Sequence, residues 1–78
     1  MMFARSFRLE FLLEGVATNV AAMRESLAEV ADSLSIEEVP GEAGCLRVVT
    51  TSADPTLIFD VAAQFGRLGA VKIDEVES

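Results

Sequence analysis

Between Phe7 and Glu14 the chain alternates without a break. Phe7, Leu9, Phe11 and Leu13 fall on one side of an extended segment, and Arg8, Glu10, Leu12 and Glu14 on the other. A period of two held this long, with phenylalanines on the apolar side, specifies a strand. Gly15 ends the alternation and the period changes. Val16, Val20, Met23, Leu27, Val30 and Leu34 are spaced by four, three, four, three and four residues, which is one helical stripe. Ala21, Ala28 and Ala31 widen it, and Arg24, Glu25, Glu29 and Asp32 take the opposite side. A helix is expected from about 17 to 33, with Thr18 or Asn19 as its N-cap, because either side chain accepts an open amide of the first turn. The rest of the chain has to cover the apolar side of the opening strand.

Ser35-Ile36-Glu37-Glu38-Val39 returns to alternation as a short second strand. Pro40-Gly41-Glu42-Ala43-Gly44 has the chemistry of a turn, and Cys45 to Thr51 is a β-branched run that would form a hairpin with the second strand. Asp54-Pro55 starts a second helix, an acidic N-cap followed by proline at the first helical position. Its apolar face is expected to be Leu57, Ile58, Val61, Ala62, Phe65 and Leu68, with Gly69 as the left-handed residue after it. Ala70 to Val76 is then the last strand, with Val71 and Ile73 inward. An internal echo accompanies this order. Asn19-Val20-Ala21-Ala22 returns as Asp60-Val61-Ala62-Ala63, and Ser35-Ile36-Glu37-Glu38-Val39 as Lys72-Ile73-Asp74-Glu75-Val76.

The order β-α-β-β-α-β implies an α+β class. Two right-handed βαβ units interleave as a ferredoxin-like sandwich, a single domain over 1–78. Its four-stranded antiparallel sheet has order 4-1-3-2, which puts the opening strand in the interior with both helices on one face. The open face would show Arg8, Glu10, Leu12, Glu14, Glu37, Val39, Arg47, Val49, Lys72, Asp74 and Val76. That mixture suits a solvated face or a moderate self-association surface.

Composition narrows the chemistry. Seventy-eight residues hold one core and bury only roughly 60–65% of the surface the unfolded chain exposes. Such a chain gains from a staple or a partner. One cysteine, Cys45, supplies no disulfide, and a lone thiol fits a reducing cytoplasm. The N-terminus has no seven-residue apolar run, so secretion is not expected. No apolar run is longer than the four residues of Val20 to Met23, far short of a membrane span. Thirteen acids against six bases give a net charge of −7, which repels nucleic acid and anionic lipid. With no histidine the commonest general base is missing, and no catalytic set, metal box or cofactor motif is found, so a non-enzymatic role without cofactor is expected.

Families that share this architecture are tested by their sites. Heavy-metal-associated domains follow strand one with Gly-Met-x-Cys-x-x-Cys; here the glycine is present but Thr18 and Ala21 stand at the thiolate positions. RNA-recognition motifs need aromatic platforms on strands one and three, and strand three has none. Acylphosphatases hold phosphate with an arginine after strand one, and Gly15 to Asn19 contains no arginine. One cysteine cannot hold an iron–sulfur cluster. Ile36-Glu37-Glu38-Val39-Pro40 with Gly44 resembles the hairpin of archaeal elongation factor 1-beta exchange modules, over that hairpin alone.

Over most of its length the chain resembles ACT-type regulatory domains, small βαββαβ modules that sense amino acids. The resemblance is carried by Glu14-Gly15-Val16 with Val20 and Leu27, then Leu34-Ser35-Ile36, Gly44 and Leu46-Arg47-Val48-Val49. It continues through Leu57-Ile58, Gln64-Phe65 and Leu68-Gly69-Ala70-Val71-Lys72-Ile73. Its nearest flavour is the regulatory-subunit kind attached to branched-chain amino-acid synthesis. It implies a stand-alone regulatory module that binds an amino-acid-like molecule or a metabolic enzyme through a homodimer, with the ligand at Gly15, Val16, Thr18 and Asn19. A glycine lets backbone approach a ligand, and open amides of a helix start favour a carboxylate. No Arg or Lys lies in the turn to assist. Beside this stands an assembly protein without ligand, self-associating through a sheet edge or the open face. Gly15 is then only the tight exit of a strand, Thr18 and Asn19 caps, and Cys45 a structural thiol.

Overall fold

The opening alternation is strand β1, Ser6–Glu14, in the computed structural model, which describes residues 5–16 and 20–76. Helix α1 (Val20–Val30), strand β2 (Ser33–Glu38), strand β3 (Cys45–Ser52), helix α2 (Pro55–Ala63) and strand β4 (Arg67–Val76) follow. The strands form one antiparallel sheet of order β2-β3-β1-β4, which is the expected 4-1-3-2 viewed from the other edge. This α+β arrangement is consistent with a ferredoxin-like sandwich.

The core lies on the side of β1 that the period-two pattern marks as apolar. Leu9, Phe11 and Leu13 of β1 face Thr50, Val48 and Leu46 of β3, and all six are buried. Met23 and Leu27 of α1 and Ile58 and Ala62 of α2 close over that same face, with Val16 completing the cluster. Phe59, which the expected apolar face of α2 omits, meets Phe11 edge to face at 5.6 Å. Leu57, which that face includes, is 41% exposed.

Helix α1 is shorter than its stripe. It stops at Val30 and β2 begins at Ser33, so Leu34 and Ile36 point inward from a strand, opposite Thr50 and Val48. Hydroxyls of β3 draw the chain away from the helix. Thr50 Oγ1 donates to the Ser33 carbonyl (2.6 Å), the Asp32 amide donates to the Thr51 carbonyl (2.8 Å), and Ser52 Oγ reaches the Val30 carbonyl (3.4 Å). The last of these gives a partner to a carbonyl that the helix end leaves open, and the other two tie the chain just beyond it to β3.

Helix α2 starts as expected. Asp54 caps it, accepting from the Leu57 amide at 3.3 Å, and Pro55 is its first residue. It ends earlier than expected, at Ala63, with Gln64 in the right-handed region, so Gly69 is not its left-handed terminator. The turn falls instead at Gly66, and β4 begins at Arg67, placing Gly69 inside the strand opposite Leu12. A Cβ at Gly66 would press on the Glu14 carbonyl oxygen and come 2.9 Å from Val16 Cγ2. Strand β4 can therefore begin so close to the end of β1 only because residue 66 has no side chain.

Two further expectations need correction. The sequence pattern turns Val71 and Ile73 inward; Ile73 does lie opposite buried Leu9, but the two are 45% and 50% exposed and neither joins the buried core, whose contact with β4 is through Leu68. The echo between 19–22 and 60–63 does not mark corresponding places, since Val20 opens α1 whereas Ala63 closes α2. No helix among the described residues is long and apolar enough to cross a membrane.

Candidate functional site

Antiparallel pairing of β1 with β3 sets Glu14 opposite Cys45, so the exit of β1 lies against the β2–β3 hairpin loop, residues 39–44. The exit has the geometry its glycine allows. Gly15 is at φ +87°, a left-handed conformation that other residues rarely adopt. That turn aims two successive amides at one acceptor. The Gly15 and Val16 N–H groups both donate to the Gly44 carbonyl, at 2.9 and 3.2 Å. Gly44 is itself at φ +76°, and the loop is held by Glu42 N–H to the Val39 carbonyl (3.2 Å) and Cys45 N–H to the Glu42 carbonyl (3.3 Å).

Beside this latch lies an open groove of about 680 Å³ between the start of α1 and the hairpin. Its apolar wall includes Val16, Val20, Val39 and Leu46; Glu38 and Glu42 are the acidic residues of the lining, and among the described residues no basic one lines it. Cys45 is also in the lining, 5% exposed. Burial, and then the carboxylates of Glu42 and Glu14, push its thiol pKa up, so at neutral pH it is a protonated thiol. Glu14 itself is paired across the sheet with Arg67, at 3.0 Å on the open face.

Of the four residues expected to contact a ligand, the structure brings Val16 into the groove wall and Gly15 into the latch beside it. Val16 is also a core residue, 3% exposed, so little of its surface is left for a ligand. A Cβ built on Gly15 would meet nothing within 4 Å, so its outer side is open space. Thr18 and Asn19 lie outside the described residues. The Gly15 and Val16 amides have their acceptor in Gly44, and are therefore not the open donors that a bound carboxylate requires. Missing from the sequence reading is the whole hairpin side of the groove. The strand order held the signal, because β3 beside β1 and antiparallel to it must start where β1 ends.

No family model and no curated protein matches the chain in sequence. What the groove can do follows from its own lining. An aliphatic group fits its apolar wall. The two carboxylates favour a cationic end over an anionic one. Among the described residues, no three His, Cys, Asp or Glu side chains come together to hold a metal ion.

Proposed function

We propose that the chain is a non-catalytic regulatory module of ferredoxin-like, ACT-like type. It takes a small aliphatic, amino-acid-like molecule, or a segment of a partner enzyme, in the groove between the β1–α1 turn and the β2–β3 hairpin, and works as a homodimer. The observation that carries this is the latch. Because Gly44 accepts from both Gly15 and Val16, whatever seats in the groove pulls on the end of β1 and the hairpin together. A ligand there would bias two elements at once, which is what regulation requires. The lining sharpens the ligand class. Glu38 and Glu42 suit an ammonium, and with no lysine or arginine among the described lining residues a ligand carboxylate would have to face water.

Thermal-shift titrations with three series test this: branched aliphatic amino acids, the matching amines without carboxylate, and the matching acids without ammonium. Amines and amino acids should raise the melting temperature, with about 2.7 kcal/mol of stabilisation at a hundred times Kd, and the acids should not. Absence of any shift at millimolar ligand would remove the sensor reading. A second reading, an assembly protein without ligand, draws on a different observation, the exposed apolar side chains of β4.

A further inference from the structure

Strand β4 is an outer strand of the sheet, and Ala70–Val76 is exposed throughout. Three of the four large apolar side chains most open to solvent belong to it: Val71, Ile73 and Val76, at 45, 50 and 38%. Ile73 lies opposite Leu9, on the face that carries the helices, and is half exposed there. On the other face Lys72 stands opposite Glu10 and Asp74 opposite Arg8. Arg8 and Glu10 engage each other instead, at 3.7 Å. The other ion pairs among the described residues are Arg5–Glu75 and Arg67–Glu14, and neither Lys72 nor Asp74 takes part in them. One strand thus presents an uncovered apolar side chain flanked by two opposite charges.

We infer that this edge pairs with β4 of a second copy of the chain, antiparallel, about a two-fold axis through Ile73. This gives the proposed homodimer a surface and a register, and it does not depend on the groove. Two identical antiparallel strands pair about an axis normal to the sheet that passes where one residue faces itself, and residues equally far on either side then face each other. Only a few registers are available. An axis at Lys72 sets lysine against lysine, and one at Asp74 sets aspartate against aspartate. An axis at Val71 falls on the β-bulge, where the pairing with β1 shifts between Glu10 and Leu12 and Ala70 has φ +49°, so the ladder is broken at its centre.

The axis at Ile73 does the opposite. Lys72 of each copy faces Asp74 of the other, twice over, and Ile73 meets Ile73 on the helix-bearing face. Val71 then lies opposite Glu75, whose carboxylate Arg5 holds at 3.6 Å. Charged residues and bulges on an outer strand often serve to keep copies apart. A charge protects an edge when pairing would leave it without a partner or set it against a like charge, whereas the charges at 72 and 74 are of opposite sign and symmetrical about 73. The bulge lies outside this centre. The product is a continuous eight-stranded sheet with all four helices on one side.

Charge exchange tests both dimer and register, using sedimentation equilibrium of the full chain with far-ultraviolet circular dichroism to verify folding. Lys72→Asp alone and Asp74→Lys alone should each raise the dimer Kd at least about tenfold. The double exchange, Lys72→Asp with Asp74→Lys, should restore it to within about threefold. Within one chain the double variant is the worst case, because it sets an acid opposite Glu10 and a base opposite Arg8, so a purely intrachain effect would rank the variants the other way. A wild-type chain monomeric at millimolar concentration would overturn the proposal. So would a dimer untouched by the single reversals, which would assign association to the open face or to β2. Neither result bears on the groove, whose ligand test is separate.

Discussion

Of the five glycines, Gly66 is the one whose added Cβ has no room. A methyl group there must displace the Glu14 backbone, since the carbonyl oxygen lies inside its contact distance, and Val16 Cγ2 and Leu13 Cγ close the other sides at 2.9 and 3.2 Å. Overpacking of this kind costs about 1–3 kcal/mol. Gly69, three residues on, has nothing within 4 Å of an added Cβ and no left-handed φ. Urea unfolding should therefore show Gly66→Ala destabilised by about 1–3 kcal/mol and Gly69→Ala within about 0.5 kcal/mol of the parent. Equal effects at the two sites would contradict the close approach. The sequence points to the wrong one of this pair. Helical spacing extends the α2 face to Leu68 and makes Gly69 the natural stop, because nothing local reveals that position 66 passes under the β1 carbonyl. Gly15 shows the converse. Its turn is legible from the change of period alone, but its acceptor, Gly44, is a long-range partner that no local pattern names.

At the scale of elements, what is legible divides by whether the cause is local. The β1 pattern, the Asp54-Pro55 start and the Pro40–Gly44 turn are written in adjacent residues, and all three stand where expected, the loop also taking in Val39. The ends of α1 and α2 are not. Thr50, Thr51 and Ser52, about twenty residues downstream, decide where α1 gives way to β2. The groove belongs to this second kind, being made where two loops meet through strand pairing. The local kind allows a clean test. Asp54 Oδ1 accepts from the Leu57 amide at 3.3 Å, and the Ser52 hydroxyl, which the Asp54 amide donates to at 3.0 Å, holds the cap in place. Asp54→Ala should lower stability by about 1 kcal/mol, and Asp54→Ser should recover most of it. Failure of the serine variant to recover would assign the loss to something other than capping.

The whole molecule is short of cover. Its buried apolar cluster draws on both helices and the two interior strands, β1 and β3, yet leaves β4 with most of its length facing solvent. Four of its six basic residues, Arg8, Arg47, Arg67 and Lys72, lie on the open face opposite acids, namely Asp74, Glu37, Glu14 and Glu10. Its charge is balanced, but of these four only Arg67 with Glu14 forms an ion pair, and Lys72 and Asp74 remain open beside the β4 edge. Exposed pairs of this kind are each worth only about 0–1 kcal/mol, so they make the face soluble more than they hold the fold. The unbalanced surface is the β4 edge, and a second copy is what completes it. Stability should then depend on protein concentration, because association stabilises only the folded chain. A hundredfold increase contributes about 2.7 kcal/mol per dimer, or about 1.4 kcal/mol per chain. For a domain of this size that is a rise of roughly 5–10 °C in melting temperature. Scanning calorimetry of the wild type from micromolar to near-millimolar concentration should show that rise, and in Lys72→Asp its onset should move at least about tenfold higher in concentration. A wild-type melting point independent of concentration would mean that the isolated chain carries all of its own stability, with β4 left as a bare edge.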